Sequence, residues 1–111
     1  MAYAAFFCLP AYGHIYPALG LVRELTARGE RIAFYSTPPF RDVIEAAGAE
    51  YRPHPEGVRR DLHGVPANTF DFADWIVQDA AVIVPGIIDA LRADPPRYIL
   101  HDGLTLWGRL L

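Results

Sequence analysis

Two side chains of this sequence are of the right type to move a proton between them, and each comes after an apolar run. His14 comes after Tyr3–Leu9 in the stretch PAYGH, and Asp102 comes after Tyr98–His101. In an open parallel sheet, ligands bind in the crevice beyond the carboxyl ends of the strands, where both residues are expected. The spacing puts His14 in the loop just ahead of a helix N-terminus, whose dipole favours the neutral imidazole. A neutral imidazole can take the proton of a hydroxyl. A carboxylate on its other ring nitrogen holds the tautomer and stabilises the charge that forms. Gly13 permits a tight turn and a close approach of ligand to backbone. Structural roles compete with these. A lone histidine in an apolar stretch is commonly a satisfied core residue, and Asp102 can cap the helix that follows it by accepting a free amide. From the residues alone the cap is the better-supported role for Asp102. The pairing strengthens the catalytic reading, because two independent structural residues need not fall at one end of one sheet.

Other chemistries find less support. PAYGH lacks the G-x-G-x-x-G spacing of a dinucleotide site. A chain whose ten basic residues are all arginine cannot carry the lysine of a phosphate-binding loop. His54 and His63 flank Asp61, but their spacing fits no metal template, so a solvated loop and no metal are expected. Cys8 is the only cysteine and lies in an apolar run, which reads as a buried structural thiol. His101 should point to the opposite side from Asp102. Phe70, Phe72 and Trp75 are expected to pack into the core, with any exposed subset available to wall an apolar ligand pocket.

Alternating elements position these residues. Tyr3–Leu9 reads as a strand buried on both faces. Pro17 suits the first turn of a helix that Gly29 stops. Arg31–Ser36 reads as a second strand, and Thr37 before Pro38 opens a helix closed by Gly48, with Phe40, Val43, Ile44 and Ala47 on one face. Ala49–Arg52 is a short third strand. Residues 53–68 have no periodicity, and helical spacing then runs from Asn68 or Thr69 to Arg92 with a kink expected at Pro85. Tyr98–His101 reads as a fourth buried strand, and a further helix opens near Thr105. The pattern predicts an α/β fold: an incomplete, Rossmann-like, doubly wound parallel sheet.

The 111 residues hold one domain at most, and the net charge of -3 without a basic stripe argues against nucleic acid as a partner. No apolar run reaches the roughly 18 residues of a membrane span. The first 22 residues are uncharged, but they lack a basic start and are broken by Pro10, Gly13 and Pro17. A cytoplasmic location is expected.

The stretch GHIYPALGLVRELTARGERIAFYSTPPFRDVIEAAGAEYRPHP resembles the start of macrolide-type, nucleotide-sugar-dependent glycosyltransferases of the two-Rossmann-domain (GT-B) class. HDGLTLWGRLL is similar to that family's Asp followed by Trp-Gly-Arg-Leu-Leu. The two matches stand at opposite ends of the chain in the family's order, and residues 57–93 match in pattern only. The resemblance implies that residues 1–111 are part of an N-terminal acceptor-binding domain, with the C-terminal donor-binding domain absent. It implies that His14 deprotonates an acceptor hydroxyl and that Asp102 orients it. The hydroxyl would attack a UDP- or TDP-sugar with inversion, with no cofactor or metal. It places a small hydroxylated acceptor against Tyr12 and Gly13, and against Pro66 and Phe70 in the 53–69 segment and the following helix. Tyr16 stands where the family often has Asn. Without a donor domain the chain alone is expected to be inactive. A competing reading is a non-catalytic half-domain that binds a small molecule or docks a separate donor-binding chain.

Overall fold

The computed structural model describes residues 3–9, 11–54, 69–103, 105, 108 and 111. Four parallel strands form one sheet: β1 (Tyr3–Phe7), β2 (Arg31–Ser36), β3 (Glu50–Pro53) and β4 (Tyr98–His101). Their spatial order is β3-β2-β1-β4, so the chain moves outward from β1 in one direction and then crosses to the other side of β1. Helices α1 (Tyr12–Ala27) and α2 (Arg41–Ala46) follow β1 and β2, and α3 (Thr69–Ala93) carries the chain across to β4. This is the expected doubly wound arrangement, and its topological switch point lies between β1 and β4.

β1 is the centre of the fold because every one of its residues is buried. Its alternation feeds two cores. Tyr3, Ala5, Phe7 and Leu9 pack with Ala33, Tyr35 and the α3 residues Trp75, Ile76, Ile83, Ile87 and Leu91. Ala4, Phe6 and Cys8 pack on the other face with Ile32, Phe34 and the α1–α2 residues Ile15, Leu19, Val22 and Ile44. In-register aromatic pairs bind β1 to β2: Phe6 stacks on Phe34 and Phe7 on Tyr35, both with ring centroids 4.8 Å apart. Such cross-strand pairs each add roughly 0.2–1 kcal/mol and pin the register.

Both glycine stops are real left-handed positions, Gly29 at φ 87° and Gly48 at φ 98°. Gly48 is also tightly packed, since a Cβ there would lie 2.9 Å from Thr26 Oγ1.

Several boundaries differ from the sequence reading. α1 begins at Tyr12, not near Pro17, which becomes the helix's sixth residue. Pro17 has no N–H for the Gly13 carbonyl, but both residues are exposed, so that carbonyl can turn to water. The Thr37–Pro38 start holds, through a 3-10 turn at Pro38–Phe40 that leads into α2. β3 is displaced by one residue, whereas α3, with Pro85 inside it, keeps the expected range to within a residue. β4 is half-buried, not fully buried, because among the described residues β1 is its only neighbour in the sheet. Residues 55–68 of the irregular stretch, with Pro66, Asp61 and His63, lie outside the described residues, as does most of the helix expected after Thr105. Among the described residues, no helix is long and apolar enough to cross a membrane.

Candidate active site

The register of the two central strands brings the two candidate residues together. Phe7 of β1 pairs with His101 of β4, so the chain leaves β1 beside the point where Asp102 leaves β4. The chain then turns at Ala11, whose carbonyl accepts the N–H groups of His14 (3.0 Å) and Ile15 (2.9 Å) and so starts α1. Ile15 faces the core, which swings His14, one residue earlier, towards β4. His14 Nδ1 lies 2.8 Å from Asp102 Oδ2, with side chains 34% and 19% exposed. His14 is therefore inside the first turn of α1, not in the loop ahead of it, because Ala11 can start the helix without a side-chain cap. Gly13 is helical too and makes no left-handed turn. An added Cβ there would meet nothing within 4 Å, so the approach beside His14 is open.

Asp102 is held from both sides. Oδ2 accepts the Leu9 N–H (3.0 Å) and the Cys8 thiol (3.4 Å) beside His14. Oδ1 accepts the Thr105 N–H (2.8 Å) and lies 2.9 Å from its hydroxyl. Burial opposes the charge, but the Leu9 amide, the Thr105 hydroxyl and amide, and the Cys8 thiol outweigh it and hold the carboxyl below its ordinary range. The two roles that competed for this residue thus coexist, one oxygen bonding the amide three residues on as a cap does, the other facing the histidine. An ionised carboxylate has no proton to give, so His14 Nδ1 carries the proton and donates it. In the neutral imidazole, Nε2 is then the nitrogen with the lone pair. Cys8 is buried, and burial together with the Asp102 charge pushes its thiol pKa up, as expected of a structural cysteine.

The remaining candidates fall elsewhere. Tyr12 is about 200° around α1 from His14, at roughly 100° per residue. It stacks on Tyr16 (5.6 Å) and packs edge-on to Phe40 (5.0 Å), so it lines the α2 side of the helix rather than the His14 side. Phe70 is 89% exposed at the start of α3, whereas Trp75 is buried and Phe72 stacks on it. Pro66 is outside the described residues. His101 turns back to the Asp102 carbonyl (2.8 Å) and underlies Gly108, where a Cβ would come within 2.7 Å of it. Among the described residues, no group of three or more His, Cys, Asp and Glu side chains could hold a metal. The residues that sequence reasoning missed are Cys8, the Leu9 amide and Thr105. Only the D-x-x-T spacing of Asp102 and Thr105 hinted at one of them.

The chain matches no family model. It is 32% identical, over 99% of its length, to the oleandomycin glycosyltransferase of Streptomyces antibioticus. It is also 32% identical, over its full length, to the demethyllactenocin mycarosyltransferase of Streptomyces fradiae. The chain is similar to macrolide glycosyltransferases. It spans about a quarter of the length of these relatives, 26% in each case. Solved glycosyltransferase structures share the fold. The glycotransferase of kitacinnamycin superposes with a TM-score of 0.80 at 29% identity, covering 97% of this chain and 26% of its own. The calicheamicin glycosyltransferase superposes with a TM-score of 0.76 at 31% identity, covering 98% and 29%. The sheet with its flanking helices is that of a GT-B glycosyltransferase N-terminal domain.

Proposed function

We propose that this chain supplies the acceptor-activating half of an inverting glycosyltransferase. The observation that carries the reading is the His14 Nδ1–Asp102 Oδ2 contact of 2.8 Å at the topological switch point, in a chain similar to macrolide glycosyltransferases. His14 Nε2 takes the proton from a hydroxyl of a small-molecule acceptor. The oxygen so freed forms a bond to the anomeric carbon of a UDP- or TDP-sugar. The bond from that carbon to the phosphate oxygen breaks on the opposite face, and the nucleoside diphosphate leaves with the electron pair. Asp102 keeps the proton on Nδ1 and balances the imidazolium as it forms. No step calls for a metal ion or covalent intermediate, and the nucleotide sugar enters as co-substrate. Acceptor contacts from Gly13 and Phe70 remain part of the reading. The Tyr12 ring, on the far side of α1, would touch an acceptor only beyond the α2 edge. The chain spans about a quarter of the length of these relatives, and the reading covers the acceptor side of the reaction.

The test uses a chimera in which residues 1–111 replace the matching part of the oleandomycin glycosyltransferase. Replacing His14 by Ala in the chimera should lower the rate of transfer by about 10²- to 10⁴-fold, the usual cost of losing a general base. A rate within threefold of the parent chimera would exclude His14 as the base.

A further inference from the structure

We infer that Thr105 is a positioning residue that aims the Asp102 carboxylate at His14. The inference rests on the proton-accepting role proposed for His14 and adds a residue to it.

A carboxylate serves a histidine only while its plane is held, since rotation about its last bond moves both oxygens at once. On the His14 side, Oδ2 is met by the Leu9 amide and the imidazole. On the other side, among the described residues, Thr105 meets Oδ1 twice, with its amide at 2.8 Å and its hydroxyl at 2.9 Å. The hydroxyl is fully buried and lies 3.0 Å from the Phe7 carbonyl and 3.3 Å from the Asp102 carbonyl. It has one proton and gives it to one of these three acceptors at a time. The charged carboxylate is the strongest of the three acceptors, so the proton goes to Oδ1 and holds the carboxylate plane, while burial at the end of β1 fixes the place of the hydroxyl. The Phe7 carbonyl accepts the Asp102 N–H (3.2 Å), which anchors Asp102 itself to the end of β1. A β-branched side chain keeps few rotamers, and a buried one keeps fewer, so the anchor is stiff. A purely structural Thr105 would join β1 to β4 in the same way, but its loss would not act on the chemical step.

The kinetic test is made in the same chimera. T105V removes the hydroxyl and keeps the shape. It should lower kcat by about 5- to 50-fold with acceptor and donor KM within twofold, since misplacing a catalytic group can cost up to about 10²-fold. T105S keeps the hydroxyl and should restore kcat to within about twofold. In the 111-residue chain, T105V should also shift or broaden the proton resonance of His14 Nδ1, while T105S leaves it in place. An unchanged kcat in T105V would overturn the inference, as would an equal loss in T105S. If T105V does not fold, T105C, with a weaker donor of similar size, decides: reduced kcat supports the inference and parental kcat overturns it. Failure of the underlying reading is separable, because it appears as parental activity in His14→Ala whatever Thr105 does.

Discussion

Replacing Asp102 by Asn keeps the shape of the side chain and removes its charge. It also converts one of its two acceptor oxygens into a donor. The oxygens are used by different donors, Oδ2 by the Leu9 amide and His14 Nδ1, Oδ1 by the Thr105 amide and hydroxyl. Whichever way the amide turns, its NH2 faces a backbone N–H it cannot accept from, Leu9 in one orientation and Thr105 in the other. A hydrogen bond to a charged group contributes about 1.5–3 kcal/mol, and an orphaned buried donor costs about 1–3 kcal/mol. Part of that cost is relieved because His14 can switch tautomer and the hydroxyl can rotate. The expected loss is about 3 kcal/mol at pH 7, measured as the difference in urea unfolding free energy between the parent 111-residue chain and D102N. The pH dependence has a fixed sign. The folded-state pKa of Asp102 is depressed below 3.8, so its stabilisation is complete above that value and is lost as pH falls through the folded value. The gap between parent and D102N should therefore hold down to about pH 4 and narrow below it. A gap under about 0.5 kcal/mol at pH 7, or one that does not change towards pH 3, would refute the reasoning.

Two further outcomes are expected. Burial pushes the pKa of His54, whose ring nitrogens are sealed from water, down to about 4 from 6.5. Because this folded pKa is depressed, stability should be complete above pH 6.5 and fall by up to about 1.4 kcal/mol per pH unit on the way to pH 4. Urea titrations of parent and His54→Leu should diverge in that window, and parallel profiles there would refute the assignment. Gly48→Ala should cost about 1–3 kcal/mol, since it places a Cβ at φ 98° and 2.9 Å from Thr26 Oγ1. A loss under 0.5 kcal/mol in thermal unfolding would show that the turn relaxes.

The sequence made the centre of the fold legible because burial on both faces leaves an unbroken apolar run, as in Tyr3–Leu9, and because Gly29 and Gly48 mark left-handed stops. The pairing of His14 with Asp102 was legible from their places after two strands. The start of α1 was not, since Ala11 begins it with no side-chain cap, and the exposed Gly13–Pro17 pair tolerates a proline in the sixth position. The extent of α3 was legible, because its apolar face, including Ile76, Ile83, Ile87 and Leu91, continues on both sides of Pro85. The side to which Tyr12 turns depends on which residue of the first turn meets the core, and Ile15 settles that only in three dimensions. The donors around Asp102 come from residues 3 to 94 positions away in sequence. Local periodicity holds no trace of such a cluster.

The central claim is that the site presents His14 Nε2 as a bare, proton-accepting nitrogen because Asp102 holds the proton on Nδ1. Long-range proton–nitrogen correlation NMR of the nitrogen-15-labelled chain above pH 7.5 measures this directly. The predicted spectrum shows the His14 proton on Nδ1 and an unprotonated Nε2, with that preference lost in D102N. A proton on Nε2 in the parent chain, or a spectrum unchanged by D102N, would contradict the account.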